Sequence, residues 1–189
     1  MMRSRLRSNR VDIVALGLSA VGVTLLLARL WLPPLGGAGR LAVPATILVA
    51  ILAGSMLVPA RRDLARLHPV VVLAIGLGAV ALALGTGGRP MPAPYAAWAI
   101  PLAVLAAVAE EALFRRAAYG ALARHGAMIA AGVTAVAFAL VHLPLYGVAA
   151  FPVDLGAGML LSWQRWAAGT WTVPAATHTA ANLVMTVLR

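Results

Sequence analysis

The chain has 189 residues, of which 62% are hydrophobic and only 11% are charged, and its mean hydropathy is +0.94. Soluble domains are about 45–50% apolar and about 25% charged, so this composition excludes an ordinary soluble fold and indicates an integral membrane protein. The net charge of +10 comes from arginines that lie mainly at the ends of apolar runs, which is typical of membrane topology and argues against a nucleic-acid partner.

Apolar runs separated by clusters of Pro, Gly and Arg predict about seven membrane helices. They cover residues 11–32, 41–59, 69–86, 95–123, 127–143, 149–164 and 171–188. A spanning helix needs about 20 residues, so these runs use nearly the whole chain and predict an all-α, polytopic transmembrane bundle in a single domain, 1–189. The sixth run is short and contains Pro152, Asp154 and two glycines. We therefore expect that segment to be tilted or re-entrant.

Arginines predict the orientation of these helices. Four lie in residues 1–10, three lie between the second and third helices, and three lie at the end of the fourth, whereas the alternate loops hold only Arg40 and Arg89. Cytoplasmic loops are enriched in arginine, so we expect a multi-pass protein of the cell membrane with a cytoplasmic N-terminus. The first apolar run is about 20 residues long and leads into further spans, which indicates a retained helix rather than a signal peptide.

The fourth predicted helix contains the only two glutamates of the chain, Glu110 and Glu111, followed by Arg115. At about 1.5 Å per residue this helix is about 43 Å long, so it must tilt or project from the membrane. Projection at its arginine-rich end leaves the glutamates in the cytoplasmic half of the bilayer. Glu111 and Arg115 alone are an ordinary i,i+4 ion pair, but carboxylates within a membrane are costly and mark functional sites.

Two of the four histidines lie in predicted helices of the C-terminal half. His142 ends the fifth helix, one turn after Phe138. His178 and Asn182 have i,i+4 spacing, which puts both on one face of the seventh helix. Taken singly, such a histidine or asparagine most often hydrogen-bonds to a neighbouring helix.

Three short motifs nevertheless occur in order on three separate predicted helices: Glu110-Glu111-x-x-x-Arg115, Phe138-x-x-x-His142 and His178-x-x-x-Asn182. This combination resembles the CPBP family of intramembrane glutamic proteases, which includes the prenyl-protein CAAX proteases and bacterial Abi or bacteriocin-processing relatives. The resemblance implies a catalytic core in residues 95–189, with the three helices of residues 1–94 as a supporting wall.

The resemblance also implies hydrolysis of a peptide bond near the cytoplasmic membrane face. This reaction needs a nucleophilic water, a base and donors for the oxyanion. Glu110 is then the predicted base, and His142 polarises or holds the water. His178 and Asn182 are the expected oxyanion donors, since their spacing lets both reach one oxygen.

Glu111, Arg115 and Phe138 are the predicted supporting residues. Adjacent helical residues point roughly 100° apart, so Glu110 and Glu111 cannot both face one water without distortion. We expect Glu111 to pair with Arg115 and to contribute to stability or orientation. The sequence leaves open the reverse assignment of the two glutamates.

No cofactor is expected, and a divalent metal such as zinc is the alternative. Two histidines and a carboxylate suit zinc, and a metal, if present, would be held by Glu110, His142 and His178. The chain lacks the His-Glu-x-x-His pattern of metalloproteases, which favours a metal-free site. The expected partners are the lipid bilayer and a peptide or protein substrate, with membrane-anchored or lipidated substrates among the candidates, and no nucleic acid.

Other chemistries fit the sequence less well. The chain has no cysteine and no Gly-x-Ser-Gly, and Asp154 is the only aspartate in the C-terminal half. Two other classes of function stay open: a small proton- or ion-coupled transporter that uses Glu110, His142 and His178, and a non-catalytic immunity or scaffold protein with a degenerate protease fold. A transporter predicts symmetry between the halves, yet the first three helices lack matching polar residues.

Overall fold

A computed structural model describes residues 2–28, 39–61, 63–86 and 98–187, and this part of the chain contains helices and no strand. The α-helices are α1 Met2–Ala28, α2 Gly39–Leu57, α3 Pro69–Thr86, α4 Ala99–Glu111, α5 Tyr119–Leu122, α6 Ala127–Tyr146, α7 Phe151–Ala168 and α8 Thr172–Val187. A π-helical segment, Ala112–Ala118, joins α4 to α5, and short 3₁₀ turns precede α6 and α7. The predicted all-α bundle is confirmed.

Most predicted boundaries agree with the structure to within a few residues, and α3 agrees at both ends. The first helix differs most, because α1 already begins at Met2 and includes the arginine-rich segment before Val11. Arginine is a good helix former, so a charged flank can extend a helix beyond its apolar part. The predicted ends at residues 29–32 and 188, the start at 95–97, and Arg89 lie outside the described residues.

The segment predicted as tilted or re-entrant forms a regular 18-residue helix, α7. One of its glycines allows close packing instead of breaking the helix, because a Cβ on Gly158 would lie 2.9 Å from the carbonyl oxygen of Ala135 on α6. Small residues permit such approach between membrane helices. The helix ends at Gly169, whose left-handed φ of 69° suits glycine.

Helix packing places the C-terminal half around α4. The most extensive interfaces join α6 to α7 and α4 to α8, and α2 also packs against α4. The main apolar cluster combines α1, α2, α4, the π-helical segment, α6 and α7, with Phe114 and Phe138 near its centre. Of the N-terminal helices, α2 packs against α4, α1 packs against the π-helical segment and α5, and α3 packs against α7 and α8.

Several helices have the composition of membrane spans. Within the described residues, Val11–Ala28 and Ala127–Tyr146 are long and apolar enough to cross a bilayer, and Leu41–Leu57 and Pro69–Gly85 are shorter apolar helices. Large apolar side chains such as Ile13, Met128 and Leu140 are exposed on the outer surface. An exterior of this kind is compatible with lipid as the surrounding solvent.

Two arginines that the sequence placed at the cytoplasmic end of the fourth helix are used inside the protein. Arg115 is fully buried. Arg116 donates to the backbone carbonyls of Ser55 and Val58, which satisfies acceptors at the C-terminal end of α2. Their charges therefore stabilise helix packing and do not simply mark a membrane surface.

Candidate active site

Glu110 and Glu111 are the last residues of α4, and both are buried, with 4% and 0% of their surface exposed. The π-helical segment begins at the next residue. Such segments are uncommon and often occur at functional sites. Small buried neighbours, Ala107 and Ala109, leave room for other helices to approach this end of α4.

Glu111 is held by two cationic or hydrogen-bonding partners. Its Oε1 lies 2.9 Å from Arg115 Nη1 and 2.9 Å from His178 Nδ1. The other end of the Arg115 guanidinium donates to the carbonyl oxygen of Gly158 at 2.9 Å. One carboxylate oxygen thus joins the π-helical segment to α8, and Arg115 extends the connection to α7.

Phe138 packs at the centre of these groups. The Arg115 guanidinium lies 4.7 Å from the centre of its ring, within the range of a cation–π interaction. The rings of His142 and His178 lie 4.5 and 5.6 Å from the same ring. Phe138 therefore contacts the supporting ion pair and both imidazoles.

Glu110 faces the two imidazoles. Its Oε2 lies 3.7 Å from His142 Nε2 and 4.0 Å from His178 Nε2. Both distances exceed those of a direct hydrogen bond. The carboxylate of Glu110 is therefore close to both rings without being bound to either, in contrast to Glu111.

Hydrogen bonds fix the orientation of both rings. Nδ1 of His142 lies 2.8 Å from the carbonyl oxygen of Phe138, and Nδ1 of His178 lies 2.9 Å from Oε1 of Glu111. A carbonyl oxygen and an ionised carboxylate only accept, so we assign a hydrogen to each Nδ1. In both histidines Nε2 is left to face Glu110.

Asn182 lies on the same side of α8 as His178. Its Nδ2 donates to the carbonyl oxygen of Ala103 on α4 at 3.3 Å. This contact links α8 to α4, one turn along α8 from His178. An amide carries two N–H groups, so the bond to Ala103 leaves the second donor of Asn182 for another acceptor.

The four predicted catalytic residues line one cavity of about 290 Å³. Glu110, His142, His178 and Asn182 contribute its polar wall, and residues of α2 and α4 contribute much of its apolar wall. A second cavity of about 450 Å³ lies between α3, α6, α7 and α8, and shares His142, His178 and Asn182 with the first. The candidate site is thus reached from two sides.

Sequence interpretation missed two residues at this site. Tyr146 stacks on His142 with ring centres 5.8 Å apart, and lines both cavities. Tyr146 follows His142 by four residues, a spacing that places both side chains on one face of a helix. This could have identified Tyr146, but the predicted helix ended before Pro144. Asp154 lines the second cavity, although nothing in the sequence placed it at the site.

The described residues contain no group of three His, Asp or Glu side chains arranged to hold a metal ion. Glu110, His142 and His178 are the residues predicted to hold a metal if one is present. They lie close together, at the distances given above, but their side chains are not arranged as metal ligands.

The geometry defines a class: a helical membrane bundle with paired glutamates and two imidazoles at a buried, cavity-lined site. A comparison with protein-family models matches residues 92–184 to the family described as Type II CAAX prenyl endopeptidase Rce1-like. The matched region spans 93 of the 189 residues, and the match confirms the resemblance to CPBP proteases that the three motifs indicated. The match begins close to the predicted start of the catalytic core at residue 95. Comparisons with curated proteins and with solved structures found no match.

Proposed function

We propose that this protein is an intramembrane endopeptidase that hydrolyses a peptide bond near the cytoplasmic membrane face, with Glu110 activating the water. The observation that supports this most is the position of Glu110 Oε2, which lies 3.7 and 4.0 Å from two imidazole nitrogens at a cavity wall. A water between these groups can contact a base and a second acceptor at once. The family match supports the same reaction class.

In the proposed reaction, Glu110 accepts a proton from water as the water oxygen bonds to the carbonyl carbon of the substrate. The electron pair of the carbonyl bond moves to the carbonyl oxygen. When the C–N bond breaks, Glu110 returns the proton to the leaving nitrogen. His142, with its hydrogen on Nδ1, uses the lone pair of Nε2 to hold the water.

The oxyanion is stabilised by His178 and Asn182 in this proposal. Nδ1 of His178 already donates to Glu111, so donation from Nε2 requires the imidazolium form. In that form the positive charges of His178 and Arg115 balance the negative charges of Glu110 and Glu111. Asn182 supplies its second N–H, one helical turn away.

Glu111, Arg115 and Phe138 hold this arrangement in place. Glu111 orients His178, and Arg115 fixes Glu111 while it binds the backbone of Gly158. Phe138 packs against the guanidinium and both imidazole rings. We assign no metal to the mechanism, because proton transfer and oxyanion binding are both available from these side chains.

We propose a cell-membrane protein with several spans and a cytoplasmic N-terminus. The substrate is a peptide or protein, and membrane-anchored or lipidated substrates suit a site built between membrane helices. The family description names a prenyl endopeptidase, which makes prenylated peptides a first class of substrate to test.

The test is a quenched-fluorescent peptide library incubated with the purified protein in detergent or lipid. We expect cleavage by the wild-type protein and loss of cleavage in Glu110→Ala and His178→Ala. His125→Ala is the matched control, since this exposed histidine contacts Arg124 outside the site. Cleavage that survives both site substitutions, or Glu110-dependent proton flux in liposomes without cleavage, would contradict the proposal.

A further inference from the structure

The chain has five acidic side chains, and all of them lie in the described residues. Four have a partner: Asp12 lies 3.3 Å from Arg124, Asp63 lies 3.0 Å from Arg165, Glu111 lies 2.9 Å from Arg115, and Glu110 lies 3.7 Å from His142. Asp154 has neither an ion pair nor a hydrogen bond within the described parts, and its Oδ2 is shielded from solvent. A shielded carboxylate oxygen without a partner requires an explanation.

The position of Asp154 in α7 explains how its charge is tolerated. It lies in the first turn of the helix, where the helix dipole stabilises a negative charge. The dipole offsets part of the cost of shielding Oδ2 from solvent but supplies no counter-ion. The carboxylate therefore stays able to bind a cation.

The cavity beside Asp154 has a distinctive chemistry. Most of its wall is apolar, with Val80, Leu84 and Leu160 among the lining residues. Among the described residues no arginine lines it, and its two histidines already have other hydrogen-bond partners, Phe138 and Glu111. The cavity also contains His178 and Asn182, which the proposed mechanism places against the reacting carbonyl.

We propose that this cavity binds a lysine or arginine side chain of the substrate, close to the scissile bond, and that Asp154 is the residue that selects it. This inference rests on the proposed protease function and adds a substrate class to it. The aliphatic stem of a basic side chain packs on the apolar wall while its charged head reaches the carboxylate. A volume of about 450 Å³ accommodates such a side chain.

Other occupants of the cavity fit less well. An acidic or phosphorylated side chain would be repelled by Asp154. A wholly apolar side chain or lipid tail would cover the carboxylate and leave it without a hydrogen-bond partner, which is costly. A basic side chain satisfies both the apolar wall and the carboxylate.

The first experiment uses pairs of quenched-fluorescent peptides that differ only by Lys or Gln at one position near the scissile bond. At one position we expect the wild-type protein to show a kcat/KM about 10- to 100-fold higher for the Lys peptide, the range of a hydrogen bond to a charged group. In Asp154→Asn the Lys/Gln ratio should fall to near one, and in Asp154→Glu it should still favour Lys. Asp12→Asn removes the same charge elsewhere and should keep the wild-type ratio.

A second experiment measures binding, so that a failure of this inference is distinct from a failure of the protease function. Fluorescence anisotropy should show tighter binding of the labelled Lys peptide than of the Gln peptide to the wild-type protein, and equal binding to Asp154→Asn. Equal binding of both peptides to the wild-type protein overturns the inference even if cleavage occurs. A preference for Lys that survives in Asp154→Asn also overturns it, as does tighter binding of a Met-substituted peptide.

Discussion

Nδ1 of His178 donates to Oε1 of Glu111 across the interface between α4 and α8, at 2.9 Å. The same oxygen accepts from Arg115, so a single buried carboxylate orients an imidazole and neutralises a guanidinium. The adjacent Glu110 has no such bond, and its carboxylate faces the cavity. Adjacent positions in the sequence therefore have different environments, and this difference can be measured.

Replacement of the two glutamates by glutamine should separate activity from stability. We expect Glu110→Gln to lower kcat by about 10²–10⁴, because an amide cannot act as a base, with little change in thermal unfolding. Glu111→Gln removes the counter-charge of buried Arg115 and should destabilise the fold by about 3–5 kcal/mol. Peptide cleavage and thermal unfolding in the same detergent measure the two effects. The reverse pattern would exchange the roles of the two residues.

Asn182→Ala tests the proposed oxyanion donor. Loss of one such donor lowers kcat by about 10²–10³, and the effect should fall on kcat rather than on KM because the interaction forms with the transition state. Asn182 also donates to Ala103, so unfolding of the variant must be measured alongside. A loss confined to KM would show that Asn182 binds the substrate without stabilising the oxyanion.

The sequence predicted the helical bundle and identified polar residues that the structure brings together, since polar side chains are rare in apolar helices and so are informative. Glu110, His142, His178 and Asn182 come from three predicted helices and line one cavity. Helix spacing alone could place His178 and Asn182 on a common face. It could not say that α4 and α8 pack together, because that depends on contacts between residues far apart in the chain.

Other features could not be predicted from the sequence, for physical reasons. An arginine near a helix end looks the same in the sequence whether its guanidinium faces water or donates to a backbone carbonyl. The internal roles of Arg115 and Arg116 could therefore not be predicted. Glycine lowers helix propensity, so the sequence predicted a tilted or re-entrant segment at α7, whereas Gly158 allows close helix packing. The lack of a partner for Asp154 among the described residues depends on contacts between distant parts of the chain, which sequence spacing does not give.

Gly158→Ala should weaken the packing of α7 against α6. The added Cβ would meet the carbonyl oxygen of Ala135 at 2.9 Å, and overpacking of this kind costs about 1–3 kcal/mol. Gly156→Ala is the matched control on the same helix, because a Cβ there meets nothing within 4 Å. Thermal unfolding should show destabilisation only for Gly158→Ala. Equal effects at both positions would contradict the close approach of the two helices.

Metal removal tests the metal-free mechanism directly. We expect dialysis against a strong chelator to leave kcat/KM unchanged and added zinc to give no stimulation. Elemental analysis of the active protein should find metal well below one ion per chain. Loss of cleavage on chelation, with recovery on addition of zinc, would instead assign Glu110, His142 and His178 as ligands.

Membrane orientation can be tested with single cysteines, because the natural chain has none. Arg115 and Arg116 interact with other groups of the protein. The N-terminal arginines and those between α2 and α3 therefore predict the orientation. We therefore expect Ser4→Cys to react with a membrane-impermeant maleimide in inverted membrane vesicles and to be protected in right-side-out spheroplasts. The cysteine that reports on the opposite membrane face is Val148→Cys, because Val148 is exposed just after α6. The neighbouring Gly147 is unsuitable, since its φ of 79° favours glycine. Val148→Cys should show the opposite pattern, and labelling of both cysteines from the same side would contradict the proposed topology.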